Sequence, residues 1–327
     1  MFQSVLGIDV SKETLDVMLL KDNRSAFGNF SNNEEGFSKL RRWLVSQGVE
    51  SVHACLEATG RYGDGVAEDL YQAGYVVSVV NPARIKRYGE SKLHRNKTDK
   101  ADAALIAEFC RKEKPGEWKP LPASIQELRQ LVRRLDDLQD NYQQERNRLS
   151  SGITSSWVLK DLNDHLAELS RRIQELKKAI YRIIEHVPEL KEQCDLMVTI
   201  KGIGKLTAAR LLAEIGDVTS FEDAPQLAAF AGLNPKGSRS GKSVYKKTRI
   251  SKEGRACLRH YLFMPAIVAR KHNPIIREFC DRLEKGKLPK KAIIAAAMRK
   301  LLHIVYGVLK HKQPFDPNYL QKLAIPS

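Results

Sequence analysis

A chain of 327 residues with 55 Lys and Arg against 39 Asp and Glu, net charge +16, can bury two or three cores and calls for a polyanionic partner, nucleic acid rather than membrane. The apolar start at 1–8 meets Asp9, Lys12 and Glu13 too soon for a signal peptide, and the apolar stretch 292–309 is interrupted by Arg299 and Lys300, so a cytoplasmic protein without a membrane span is expected. Cys55, Cys110, Cys194, Cys257 and Cys280 are scattered with no CxxC pair, which argues against a thiolate zinc site or a disulfide framework.

The runs 4–10 and 14–20 are apolar and β-branched, and Ser11-Lys12-Glu13 between them signals a hairpin. A third strand is expected at 25–30. Residues 33–46 then carry helical spacing through Phe37, Leu40, Trp43 and Leu44. A strand at 51–56 ends in Glu57-Ala58-Thr59-Gly60, a helix follows at 63–73, and a short strand at 75–80 stops at Asn81-Pro82. Three strands in a meander, then helix, strand, helix, strand and helix, is the order of a ribonuclease H-like mixed sheet.

Asp9 and Glu57 each stand at the end of a strand. Asp99 and Asp102, three apart behind a Thr98 N-cap, share a face at the start of a helix. Like charges so close repel, so they suit open surface or a cation. In this fold order the four carboxylates converge at one sheet edge, and hard oxygen donors from separate elements suit magnesium, with manganese as its alternate. Two such ions about 3.5–4 Å apart clamp the attacking and leaving oxygens of a phosphoryl displacement. Asp9, Glu57, Asp99 and Asp102 are therefore the expected metal ligands. Asp16, inside the second strand, is expected to point outward or pair with a Lys, and is left out.

Between the last strand and the acidic helix, Arg84, Lys86, Arg87, Lys92, Arg95, Lys97 and Lys100 face only Glu90 and Asp99. Beside a carboxylate site, this run reads as a phosphate track. Pro115, Pro120 and Pro122 mark a linker. Leucines at 128, 131, 135 and 138, then Leu162, Leu166, Leu169, Ile173, Leu176, Ile180, Ile183 and Val187, alternate by three and four as in a coiled coil. A hairpin, a dimer seam and a helix in one chain's core all satisfy that pattern. After Pro188, Gly202-Ile-Gly before a helix is either a phosphate-binding hairpin or an ordinary helix turn. The stretch 230–244 is rich in Gly and Ser, and Lys236, Arg239, Lys242, Lys246 and Lys247 belong to a dense basic run through Arg255. It reads as a phosphate-gripping loop; Ser238, Ser240 and Ser243 keep a nucleophilic role open. Helices are expected at 254–271 and 291–310.

These residues together resemble the DEDD transposases of the insertion-sequence one-ten family, which includes Piv-type DNA invertases. The resemblance rests on Gly7-Ile-Asp9-Val-Ser-Lys-Glu-Thr-Leu-Asp-Val, Leu56-Glu57-Ala-Thr-Gly-Arg-Tyr, Asn81-Pro-Ala-Arg, Lys97-Thr-Asp99-Lys-Ala-Asp102-Ala, Gly202-Ile-Gly, Ala231-Gly-Leu-Asn-Pro, Ser240-Gly-Lys-Ser-Val and Arg249-Ile-Ser-Lys. It implies an α/β RuvC-like catalytic domain at 1–114, a linker and coiled-coil segment at 115–195, and a mainly α C-terminal domain at 196–327 with a serine loop. By motif the serine that attacks DNA falls on Ser240, with Ser238 and Ser243 close by; Lys242 stands where many relatives have a small residue. The resemblance also implies a structured non-coding bridge RNA that pairs with donor and target DNA. From it follows an RNA-guided, magnesium-dependent recombinase passing through a covalent phosphoserine, in a dimer or tetramer with composite active sites. The alternative is a metal-dependent junction resolvase or nuclease that uses water.

Overall fold

The computed structural model describes residues 4–58, 62–92, 98–240 and 244–318, with the backbone alone at 237–240 and 244–248. The chain forms two compact units, Met1–Pro120 and Leu121–Ser327.

In the first unit, β1 (Ser4–Val10), β2 (Thr14–Lys21) and β3 (Arg24–Ser31) form the expected meander, followed by α1 (Glu34–Ser46), β4 (His53–Glu57), α2 (Asp64–Gln72), β5 (Val76–Val80), α3 (Pro82–Ser91) and α4 (Asp99–Glu113). The sheet order is β3-β2-β1-β4-β5, with β1–β2 and β2–β3 antiparallel and β1–β4 and β4–β5 parallel. This is the mixed order expected from the sequence. Alternation along β1 sends Leu6, Ile8 and Val10 into a core with Phe37, Leu40, Leu56, Val66 and Leu70. Val5 packs on the opposite face with Cys55, Ile85, Ile106 and Phe109. A central strand covered by helices on both faces has to read as a continuous apolar run, as 4–10 does.

Local chemistry sets the helix starts. The Asn33 side chain accepts from Gly36 N at 2.9 Å, Asn81 from Ala83 N at 2.9 Å ahead of Pro82, and Thr98 from Ala101 N at 3.2 Å. The basic run from Arg84 is thus helical through Ser91. Residues 115–118, read from the sequence as linker, are tied to β5: Ser78 Oγ donates to Gly116 O at 2.8 Å, and Trp118 N donates to Val77 O at 2.6 Å.

The second unit holds α5 (Ala123–Leu149), α6 (Ser156–His186), α7 (Pro188–Val198), α8 (Lys205–Ile215), α9 (Ala224–Phe230), a ribbon of β6 (Pro235–Ser240) and β7 (Val244–Ile250), α10 (Ala256–His272), α11 (Pro274–Lys285) and α12 (Lys290–His311). Much of the heptad pattern packs within the chain, Leu128, Leu135, Leu169, Ile173 and Ile180 all being core residues of this unit. His165 on α6 lies 3.6 Å from Glu145 on α5, so the two long helices run antiparallel as a hairpin. Leu128, Val132 and Leu135 of α5 share one core with Ile180 and Ile184 of α6, Leu212 of α8, Leu262 of α10 and Leu301 of α12. By length and composition α12 could cross a membrane. Its Ile293, Ala297, Leu301, Leu302 and Val305 are nevertheless core residues, and Tyr306 Oη donates to Glu222 O at 2.7 Å.

One local expectation is corrected. The stretch read as a Gly/Ser loop is in part a two-stranded antiparallel ribbon, because Val244, Tyr245, Thr248 and Ile250 supply strand formers opposite the flexible partner. Gly202 serves packing, whereas Gly204 has open space around it and stands as the N-cap of α8. Gly202 has φ +112, and a Cβ there would lie 2.8 Å from the Ala269 Cβ, so glycine is what lets the turn meet α10.

Candidate active site

Three elements of the first unit deliver four carboxylates to one region. Asp9 is the penultimate residue of β1 and, by alternation with Val5 and Gly7, sits on the face covered by α4. The parallel register pairs Gly7 with Cys55 and Ile8 with Leu56, so Glu57, last in β4, stands level with Asp9 on that same face. Helix α4 brings Asp102, half-buried, and Asp99, exposed, in its first turn.

Gly7 sets how near α4 comes. A Cβ on Gly7 would fall 2.2 Å from Ala103 O and 2.3 Å from Ala107 N, with both alanines fully buried. Glycine on the strand and alanine on the helix remove the side-chain layer that ordinarily separates them. The first turn of α4 is thereby pressed toward the end of β1.

The proximity is visible in the electrostatics. Burial, then the charges of Asp102, Asp99 and Asp16, push the Asp9 carboxyl up from its ordinary value. Burial, then Asp9 and Asp102, push Glu57 up to about 7. Such carboxylates are held together against their repulsion and are relieved by a proton or a cation. Hard anionic oxygens from three elements are the donor chemistry of a divalent metal, and Asp9, Glu57, Asp99 and Asp102 fit it in kind. Among the described residues, no three His, Cys, Asp or Glu side chains stand close enough to hold an ion as they are. The fit is therefore one of donor type and shared charge.

Glu57 makes this testable by pH. Its carboxyl goes from an ordinary 4.5 to about 7 on folding, so between these values the folded chain keeps a proton that the unfolded chain releases. Stability from this group is full below the unfolded value and is lost as pH rises through the folded one. After discounting for its half-exposed position, roughly 1–2 kcal/mol is expected over that window. Without divalent cations, wild type should lose more thermal stability than Glu57→Gln between about pH 4.5 and pH 7. Equal losses in the two proteins would remove the raised carboxyl.

Asp16 departs from the sequence expectation. It lies directly opposite Asp9 in the hairpin register, where cross-strand partners share a face. It is held by Asn29 Nδ2 at 2.8 Å and not by a lysine. The signal lay in the register: with Val10 opposite Leu15 across the turn, Asp9 must meet Asp16.

Of the expected phosphate contacts, Arg84, Lys86, Arg87, Lys92 and Lys100 are exposed. Several have other duties. Arg84 lies 5.4 Å from the Phe109 ring centroid, Lys100 5.6 Å from Phe27, and Lys92 is paired with Glu108. Arg95 and Lys97, like Thr59 and Gly60, lie outside the described residues. In the second unit Lys236 pairs with Glu253 at 2.8 Å. Arg239 is on β6, Lys246 and Lys247 on β7, and Ser240 ends β6 opposite Val244. Ser238 is opposite Lys246; Lys242 and Ser243 fall outside the described residues. The serines and the carboxylates thus belong to different units.

Two sequence families match. One, described as a transposase of the DEDD IS110 type, matches residues 6–158, and one described as the transposase IS116/IS110/IS902 family matches residues 194–281. The chain is similar to the pilin gene-inverting protein of Moraxella bovis, 37% identical over 319 residues that cover 97% of this chain and 98% of that one. The pilin gene-inverting protein of Moraxella lacunata matches with the same identity and coverage. The transposase for insertion sequence element IS1111A of Coxiella burnetii is 26% identical over 318 residues, 89% of this chain and 82% of that one. A T. thermophilus RuvC structure in complex with a Holliday junction substrate covers 36% of this chain at 15% identity and a TM-score of 0.27, too low to carry weight.

Proposed function

Because the chain belongs to the IS110 transposase family, whose enzymes cut and rejoin DNA, we propose that it is an RNA-guided, magnesium-dependent recombinase acting through a covalent phosphoserine. One observation carries the reading. Asp9 and Glu57 end adjacent parallel strands on the face covered by the first turn of α4, which carries Asp102, and burial followed by neighbouring carboxylate charge raises both carboxyls.

In this reading Asp9, Glu57, Asp99 and Asp102 hold the metal, with manganese able to replace magnesium. When bound, the cation supplies Lewis-acid stabilisation of charge developing on the phosphate oxygens. Ser240 Oγ attacks the scissile phosphorus: the serine O–P bond forms, the bond from phosphorus to one deoxyribose oxygen breaks, and the serine proton leaves as that oxygen takes one up. Rejoining runs the exchange backward with another strand's hydroxyl, so the ester conserves the bond energy and ATP is not required. Target choice is assigned to a bridge RNA that pairs with donor and target DNA, leaving the protein to hold backbone and shape. The charge of +16 supports such a load. In an oligomer, dimer or tetramer, the serine of one subunit is served by the carboxylates of another.

The experiment mixes protein, flanking non-coding RNA, labelled donor and target DNA, and magnesium, then looks on a denaturing gel for DNA that migrates with protein. An adduct in wild type that disappears in Ser240→Ala is the expected result. Cleavage without adduct, unchanged by Ser240→Ala, would identify a water-using nuclease instead.

A further inference from the structure

The β6–β7 ribbon is irregular, and the irregularity sorts its charges. Ser240 pairs with Val244, Arg239 with Tyr245 and Ser238 with Lys246, but Lys236 pairs with Arg249 and Pro235 with Ile250. Between Ser238 and Lys236 one residue, Gly237, therefore opposes two, Lys247 and Thr248. That is a β-bulge, and its effect is to turn the bulged strand so that later residues change face.

Without a bulge, strict alternation would put Lys246 and Arg249, three apart, on opposite faces. With it, directly paired residues sharing a face, Ser238, Ser240 and Lys236 fall on one side with Lys246 and Arg249. Arg239, Tyr245 and Ile250 fall on the other. The described ends of the ribbon agree with this division. Lys236 and Arg249 are both exposed, whereas Ile250 packs against the core of the unit.

We propose that the bulge exists to place Lys246 and Arg249 on the serine face as a phosphate clamp for the DNA strand that Ser240 attacks, leaving Arg239 and Lys247 outside the clamp. The proposal rests on the Ser240 reading for its purpose and on register alone for its division of residues. Ser240 and Lys246 are diagonal neighbours in the register, positions that lie about 7–8 Å apart in a ribbon. Lys236 shares the face, but its charge is already shared with Glu253. Duplex DNA is the favoured ligand, because a two-stranded ribbon fits the major groove of B-form DNA and not the deep, narrow one of an RNA helix.

The test uses the full-length protein and two readouts. Binding of a short labelled DNA duplex is followed by anisotropy over a range of salt, and adduct is measured on the denaturing gel. Lys246→Ala and Arg249→Ala should each lower the salt slope by about one and reduce adduct more than tenfold, with Lys246→Arg restoring most of it. Arg239→Ala and Lys247→Ala, on the other side of the register division, should each lose at least fivefold less adduct than Lys246→Ala or Arg249→Ala. The clamp is overturned if these two pairs lose adduct and slope alike, if Lys246→Ala and Arg249→Ala change neither, or if the slope changes only with an RNA duplex. Should wild type give no adduct, the Ser240 reading fails while the DNA slopes still decide whether Lys246 and Arg249 act together.

Discussion

Asp102→Asn is expected to lower DNA strand cleavage by roughly a thousandfold, about 4 kcal/mol of transition-state stabilisation, while leaving DNA binding within a few-fold. Asp102 is chosen over Asp99 on electrostatic grounds. Its charge acts on both Asp9 and Glu57, whereas that of Asp99 acts on Asp9 alone, and Asp99 is the more exposed of the pair. Asp99→Asn should accordingly cost less. The same substitution should raise the melting temperature of metal-free protein, because it removes one member of a repelling group that folding forces together. Cleavage with magnesium and melting without it, measured on one preparation, separate the roles. Wild-type cleavage in Asp102→Asn would discard the carboxylate site; lost cleavage with a lowered melting temperature would mean that Asp102 holds the fold and not an ion.

Much of this site was legible because strand ends and helix starts carry short-range signals. Thr98 with two acids in the next turn announces a helix beginning, and continuous apolar runs announce doubly covered strands. Register is not short-range information in the same sense. Asp16 was set aside as an outward-facing strand residue, although the hairpin places it against Asp9. The ribbon was hidden by glycine and serine, whose composition signals a loop, and its bulge depends on pairing between strands. α11 is absent from the expectations although its signal is local: Ile276, Phe279, Cys280 and Leu283 recur at the i, i+3, i+4, i+7 spacing of an amphipathic helix and pack on the core. Gly7 was read as part of a motif, but its reason, the descent of α4 onto β1, lies almost a hundred residues away in sequence.

Glu214 is the residue most thoroughly hidden from sequence reading, and its loss should have the largest structural effect. It sits on α8 with its side chain fully buried, accepting from Arg133 Nε at 3.1 Å and from an Arg255 guanidinium nitrogen at 2.6 Å. Burial alone would raise its carboxyl; the hydrogen bond from Arg133 and the charges of Arg255, Arg133 and Arg129 outweigh it and hold the carboxyl below the usual range. The two arginines come from 81 and 41 residues away, so no local pattern marks the site. Glu214→Leu would leave two half-exposed guanidinium groups without their carboxylate, and the expected loss after solvent screening is about 1.5–3 kcal/mol, or roughly 3–12 °C in melting temperature for a unit of this size. Glu214→Gln, which still accepts a hydrogen bond, should lose less. Because Arg255 N also donates to Phe230 O at 2.8 Å and Ser251 N to Asn234 O at 2.8 Å, the residues beyond β7 are held between Glu214 and the end of α9. The Leu variant should therefore loosen the base of the ribbon and lose adduct even well below its melting point. Replacing Arg133, Glu214 and Arg255 together by apolar residues should recover much of the stability, since no charge is then left unpaired, but not the adduct. A single Glu214→Leu that melts within a degree or two of wild type would show that the three groups are solvated in solution and hold nothing in place.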